Sequence, residues 1–169
     1  NELISLFESN LVGERNHIIT ELGILYAKYL PEKLMDHCRN YYQNMNVPKV
    51  IRVCEQNYLW EEVVFLYSHY NGYDNALTTM IEHSPLCWKH DLYCQVLTKV
   101  TNSNLYNESI RFYVSEQPQL LNDMLKVISS KVDLSTTVNE LRKLGALPLA
   151  VPFLKSVQSN NNYDVKEAS

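Results

Sequence analysis

The sequence predicts an all-α fold, an α-solenoid of about eleven short helices stacked as antiparallel helix hairpins. Three observations carry that reading. Apolar residues recur three or four apart along nearly the whole chain, with almost no strand-like alternation. Helix starts recur at intervals of roughly 15 residues, so a two-helix unit takes roughly 30, within the range of helical solenoids. The 169 residues include only four glycines, so few loops can be built. A compact bundle tends towards fewer, longer helices, whereas many short ones with brief links bury their apolar faces by stacking on neighbours.

Taken in order, the first helix is expected from about Glu2 to Leu11. The second runs from about Asn16 to Tyr29, with Ile18, Leu22, Leu25 and Tyr29 on its apolar face. Pro31 opens the third, where its missing N–H costs nothing; Leu34, Cys38, Tyr41 and Tyr42 follow. Pro48 lies near the start of the fourth, ahead of Val50, Ile51 and Cys54. Leu59 to Tyr70 is the most apolar stretch, carrying Trp60, Val63, Val64, Tyr67 and Tyr70. Asp74 is placed as the N-cap of a sixth helix bearing Ala76, Leu77, Met80 and Ile81. A break at Ser84-Pro85 precedes a seventh, from about Trp88 to Val100. The eighth covers about Leu105 to Ser115, and the ninth starts at Pro118 with Leu120, Leu121, Met124 and Val127. A tenth follows an Asp133 or Ser135 cap and stops at Gly145, a suitable residue just past a helix end. The eleventh starts near Leu147, with Pro152 bending its first turn. The solenoid is expected over 1–158, and the polar run 159–169 as a tail or the start of a linker.

Composition narrows the function classes. The chain is 46% hydrophobic and 20% charged, as expected of a protein that buries a core. The net charge is −4 and the 15 basic residues are scattered, so no electrostatic footprint for nucleic acid is present. No apolar run reaches the ~18–20 residues of a membrane span. Asn1-Glu2-Leu3-Ile4 has no basic region of the signal-peptide kind, and without an initial Met the sequence reads as a piece of something longer. The 12 tyrosines suit sites where a ring is buried and its hydroxyl reaches water.

One constellation invites a metal reading: His83, Cys87, His90 and Cys94 offer the four Cys/His ligands of tetrahedral zinc. Pro85 interrupts the set, and paired C-x2-C or H-x3-H spacing is absent. The favoured reading is two buried thiols and two surface imidazoles, with no metal and no cofactor. Cys38 and Cys54 read as small hydrophobes on helix faces. His17, His37 and His69 lack a nucleophile or carboxylate arranged with them. Glu61-Glu62 and Glu14/Glu21 match ordinary solvated faces, no Gly-rich phosphate loop exists, and Asn107-Glu108-Ser109 is a sequon only for a secreted chain. No catalytic residue is assigned, and an enzyme is not expected.

LWEEVVFLYSHYNGYDNA (residues 59–76) and the preceding NVPKVIRVCEQ (46–56) resemble the clathrin heavy-chain family. So do TELGILYAKYLPEKLMDH (20–37), LLNDML (120–125) and LPLAVPFLKSVQSNNN (147–162), in the same order and spacing. The resemblance implies a segment of the proximal leg, about one heavy-chain repeat. The role it implies is that of a structural coat protein in vesicle-mediated transport, in endocytosis and in traffic from the trans-Golgi network and endosomes. It further implies a cytoplasmic setting at coated pits and vesicles, and membrane contact only indirectly, through adaptors. The implied partners are clathrin light chain and other heavy chains, while the isolated segment is expected to be monomeric. Lys28 matches a lysine of the family's ILY-x-K segment and is the candidate contact to an acidic part of the light chain. Near Pro118, where the family has a lysine, this chain has Gln117. The zinc-like set is not a family feature. Histidines opposite carboxylates offer a route by which mild acid favours leg–leg packing. The alternative class is an α-solenoid scaffold of a vacuolar-sorting tether complex with a similar repeat.

Overall fold

The computed structural model describes the backbone of residues 2–168 and the side chains of residues 2–3 and 10–159. Among the described residues there are eleven α-helices, four short 3-10 segments and no strand, which confirms the all-α fold. The chain divides into two compact units, Asn1–Cys87 and Trp88–Ser169.

The first unit opens on α1 (Glu2–Tyr29), a single helix of 28 residues where the sequence reading expects two. No proline falls between Leu11 and Asn16, and Gly13 alone weakens a helix by only about 1 kcal/mol. The apolar face assigned to this region is also corrected. Ile18, Leu22, Leu25 and Tyr29 are 63%, 37%, 52% and 73% exposed. The buried side is instead Ile19, Thr20, Ile24 and Ala27.

Pro31–Lys33 forms a 3-10 turn that feeds α2 (Leu34–Tyr41), so the proline starts the helix as expected. The fourth expected helix is α3 (Val47–Gln56), with Pro48 in its first turn. The Asn46 side chain accepts from the Lys49 amide, satisfying one donor that the helix start leaves without an intrahelical partner. The Asn46 amide in turn donates to Thr20 Oγ1 at 2.9 Å, tying α3 to α1.

α4 (Trp60–His69) packs on α3 and α2. It passes through Tyr70–Gly72 to α5 (Tyr73–Glu82), its packed neighbour; so short a link between packed helices makes the pair antiparallel. Asp74 is not the N-cap: Asn71 takes a left-handed φ of 60° and Gly72 N–H donates to Tyr67 O at 2.8 Å. This tight return starts α5 at Tyr73, which leaves Asp74 inside the first turn, where a carboxylate complements the helix dipole. A single turn, α6 (Ser84–Cys87), closes the unit against α4 and α5. Leu34, Cys38, Val50, Ile51, Cys54, Val63 and Leu66 form the core, flanked by half-buried Tyr42, Trp60 and Phe65.

In the second unit the expected seventh helix is shorter, α7 (His90–Leu97). Lys89 is extended, at φ −138° and ψ 132°, so Trp88 and Lys89 stay outside the helix. α8 (Asn104–Glu116) leads through the 3-10 turn Pro118–Leu120 into α9 (Leu121–Ile128). α9 buries Leu121, Met124, Leu125 and Ile128 completely and packs on α7, α8 and the helix that ends the chain.

Asp133 precedes α10 (Leu134–Lys143) and its carbonyl accepts from the Thr137 amide. Gly145 ends the helix at φ +66°. The Gly145 amide bonds Arg142 O and the Ala146 amide bonds Leu141 O, a paired closure in which the left-handed residue carries no Cβ penalty. The turn Leu147–Ala150 starts α11 (Val151–Ala168), whose backbone is helical through most of the polar run 159–169. From residue 160 its side chains lie outside the described residues.

Asn122 of α9 fixes the start of α11. Its Nδ2 donates to Leu149 O at 3.0 Å, and its Oδ1 accepts from the Phe153 amide at 3.0 Å. A helix start exposes free amide donors, and Asn122 satisfies one of them across the packing interface.

Candidate partner-binding face

Lys28 lies in the last turn of α1 and is exposed. A cation there complements the carbonyl end of the helix dipole. Glu14, Glu21 and Lys28 recur every seven residues, which aligns them along one side of the helix. The Glu21 carboxylate sits 3.0 Å from Lys49 Nζ of α3. The hydrogen bond and charge of Lys49 hold that carboxyl below its usual range, with smaller contributions from His17 and Lys28. The flank therefore offers two cations, Lys28 and Lys49, with Glu21 among them. Beside it runs the exposed apolar row Ile18, Leu22, Leu25 and Tyr29. An apolar row flanked by charge is the surface that accepts an amphipathic helix.

Gln117 is half-buried at the end of α8, its amide bonded to Tyr113 O at 2.8 Å. It offers no cation.

The zinc-like set separates. His83 and Cys87 belong to the first unit, His90 and Cys94 to the second. The His83 ring stacks on Trp60, with centroids 3.6 Å apart and planes 7° from parallel. Cys87 Sγ donates to His83 O at 3.4 Å and Thr79 O at 3.6 Å, and burial pushes its thiol up to about 11. His90 Nδ1 lies 2.9 Å from Tyr113 Oη, and its Nε2 lies 3.9 Å from Asp123 of α9. Burial also raises the Cys94 thiol, which disfavours the thiolate a metal requires. Among the described residues no group of three such side chains is placed to hold a metal ion. Both imidazoles are half-buried ring partners rather than the surface groups expected.

The remaining candidates are structural. His37 is buried, 2.8 Å from Ile19 O and edge-on to Tyr26. His69 packs on Phe65 and Tyr42. Glu62 is half-buried and its carboxyl is raised by that burial, but no nucleophile accompanies it. Two open grooves lie in the first unit. One, of about 350 Å³, is bordered by Asn16, His17, Gln43 and Lys49; the other, of about 480 Å³, by Arg52, Glu55, Tyr67 and Tyr70. Neither gathers an acid, a base and a nucleophile around one point.

Sequence reasoning missed three contacts: the Trp60–His83 stack, the Asn122 bridge and the pairing of Arg111 with buried Glu140 at 3.4 Å. Each joins residues more than twenty positions apart, and apolar period carries no signal for such pairs.

Comparison with known proteins is decisive for the family. A family model described as a region in clathrin and VPS matches residues 1–121. The chain is 48% identical to a clathrin heavy chain of Dictyostelium discoideum, over 99% of its own length and 10% of that protein's. It is 46% identical to clathrin heavy chain 1 of Oryza sativa subsp. japonica and 45% identical to clathrin heavy chain 2 of Homo sapiens, with the same coverage of each. The chain thus spans about a tenth of the length of these curated relatives. The helical architecture, the matching family model and near-complete alignment at almost half identity together establish that this chain belongs to the clathrin heavy-chain repeat family.

Proposed function

We propose that this chain is a proximal-leg segment of a clathrin coat, contributing a stiff helical scaffold to lattice assembly in vesicle-mediated transport. The observation that carries this reading is the alignment of 99% of the chain to clathrin heavy chains at 45–48% identity. The same relatives favour a clathrin leg over a vacuolar-sorting tether. The helical region 1–158 acts as the scaffold, and 159–169 leads into the next segment. The setting is cytoplasmic, at coated pits and vesicles, and no described helix is long and apolar enough to cross a membrane. Adaptors supply the membrane contact, and other heavy chains supply the trimer and the lattice. Weak contacts repeated along many legs sum through multivalency, which permits both assembly and removal.

The partner of the α1 flank is clathrin light chain, presenting an acidic amphipathic helix with Lys28 as the first charged contact. A titration of this chain against the central helix of a clathrin light chain tests it, with a charge-scrambled helix as control. Saturable, salt-sensitive binding is expected, weakened about three- to five-fold by Lys28→Glu, the range of an exposed ion pair. Equal binding of the scrambled helix, or affinity unchanged by Lys28→Glu, overturns the assignment.

A further inference from the structure

We infer that the ring cluster at the start of α4, Tyr58, Trp60 and Leu86 with Glu61 and Glu82 around it, docks a cationic protein segment that presents arginine beside apolar side chains. The inference does not depend on the coat role. It starts from a residue in an unfavourable place. α3 is closed by a paired return: the Leu59 amide donates to Cys54 O at 2.9 Å and the Tyr58 amide to Glu55 O at 3.3 Å. The left-handed residue of such a return is ordinarily glycine; here it is Tyr58, at φ 60°. A bulky side chain at positive φ is strained. The fold gains little in exchange, because the ring is 75% exposed and meets Trp60 at a centroid distance of 6.4 Å. Strain of that kind is a pointer to function.

The surface beside Tyr58 continues apolar. Trp60 is half-buried, and its stack on His83 sets the start of α4 beside the end of α5. Leu86 lies one turn on, its amide bonded to His83 O at 3.0 Å, and is 61% exposed. Single exposed apolar residues need no explanation, but a group of them rimmed by polar ones marks an interaction site. Charge selects the occupant. Between Arg52 and Lys89 the sequence has no lysine or arginine, whereas it has Glu55, Glu61, Glu62, Asp74 and Glu82. Glu61 and Glu82 are exposed at this end of the α4–α5 pair, and among the described residues neither is in an ion pair. Glu61 also lies near α6: after burial itself, its charge is what raises the Cys87 thiol. Arginine answers both features, because its planar cation stacks on an aromatic ring while its N–H groups reach a carboxylate. Lysine supplies the charge alone.

A titration of the 169-residue chain with a fluorescein-labelled peptide of alternating arginine and leucine decides it, set against the same peptide with lysine in place of arginine. Saturable binding is expected, about three-fold or more tighter for the arginine peptide. Tyr58→Gly puts at φ 60° the residue that conformation favours, so the chain is expected to melt no lower than before. Its affinity for the arginine peptide is expected to fall about five-fold, the range of a lost cation–π contact. Glu61→Gln combined with Glu82→Gln is expected to lose about three- to ten-fold. Asp74→Asn, at the other end of α5, is expected to leave binding unchanged. Absence of saturable binding overturns the proposal, as does equal affinity for the two peptides or binding unchanged in Tyr58→Gly. An equal loss in Asp74→Asn overturns it too, by reducing the effect to net charge. So does a concentration-dependent doubling of mass that Tyr58→Gly abolishes, which makes a second copy the occupant.

Discussion

The two units solve the same packing problem with different chemistry. The first fills its core with aliphatic side chains and sulfur: Cys38 and Cys54 are completely buried among Leu34, Val50, Ile51 and Leu66, and Cys87, the last residue of α6, is buried as well. The second uses rings, with Tyr93 and Tyr113 completely buried and Phe112 stacked on Tyr93, edge-on to Tyr113 and tilted against Trp88. A thiol packs as a small hydrophobe and tolerates an apolar site without a partner. A phenol does not, so the core of the second unit carries bonded tyrosine hydroxyls. Tyr93 Oη is hydrogen-bonded to Ser109 Oγ, which also donates to Leu105 O, and Tyr113 Oη meets His90. Sulfur leaves a core free to be repacked, whereas buried hydroxyls fix which helices meet.

Alkaline pH separates the two chemistries most strongly. Burial pushes the Cys38 thiol up to about 12 and raises Cys54 as well; burial likewise raises Tyr93 and Tyr113. In every case the folded state holds the proton more tightly than the unfolded state. Their stabilisation is therefore complete below the ordinary pKa of each group and is lost as pH rises towards the folded value. The first unit is expected to weaken from about pH 9, and by pH 11 Cys38 alone accounts for about 3 kcal/mol. In that range the second loses only the contribution of the half-buried Cys94 thiol, and its larger loss begins at about pH 10, where free phenols ionise. Trp60 and Trp88, one in each unit, report them separately in single Trp→Phe variants. Simultaneous loss of both signals at one pH would contradict the contrast.

The next largest effect compares two helices that read alike in sequence. α9 hides Leu125 completely, whereas α1 leaves Leu22 partly exposed. Leu125→Ala is expected to cost about 3 kcal/mol. Leu22→Ala is expected to cost less than about 1 kcal/mol, because its face of α1 is open. Urea titrations of both variants read the difference, and equal costs would contradict the contrast.

That contrast also marks how far the sequence can be read. Short amphipathic helices with proline starts are legible because each rests on local rules: a missing N–H at Pro31 and Pro118, and a left-handed stop at Gly145. Which side of α1 faces the core is not local. Ile18 and Ile19 are equally apolar, and the tertiary partners α2 and α3 alone select Ile19. Asp74 fails as a cap for a similar reason, since the tight return at Asn71 and Gly72 sets the helix start ahead of it. At the candidate site, Lys28 is exposed, but its neighbours Glu21 and Lys49 are set by an ion pair between helices that no motif announces.

A smaller effect probes the bonded hydroxyls of the second unit. Tyr93→Phe keeps the ring stacked on Phe112 and removes the hydroxyl that Ser109 meets. Ser109 retains its bond to Leu105 O, so no group is left wholly without a partner. The expected cost is about 1 kcal/mol, read by urea denaturation followed at Trp88. A neutral result would mean that the rings alone determine the packing.

The smallest effect isolates backbone from packing. Gly145 holds φ +66° with nothing within 4 Å of where a Cβ would sit, so Gly145→Ala meets no neighbour. What remains is the cost of placing an L-residue in the left-handed region, about 1 kcal/mol. Gly145→Asn should recover part of it, because asparagine tolerates that conformation better than alanine. If alanine and asparagine prove equal, the closing bonds at Arg142 O and Leu141 O have been lost in both, and the stop at α10 depends on those bonds rather than on the conformation of one residue.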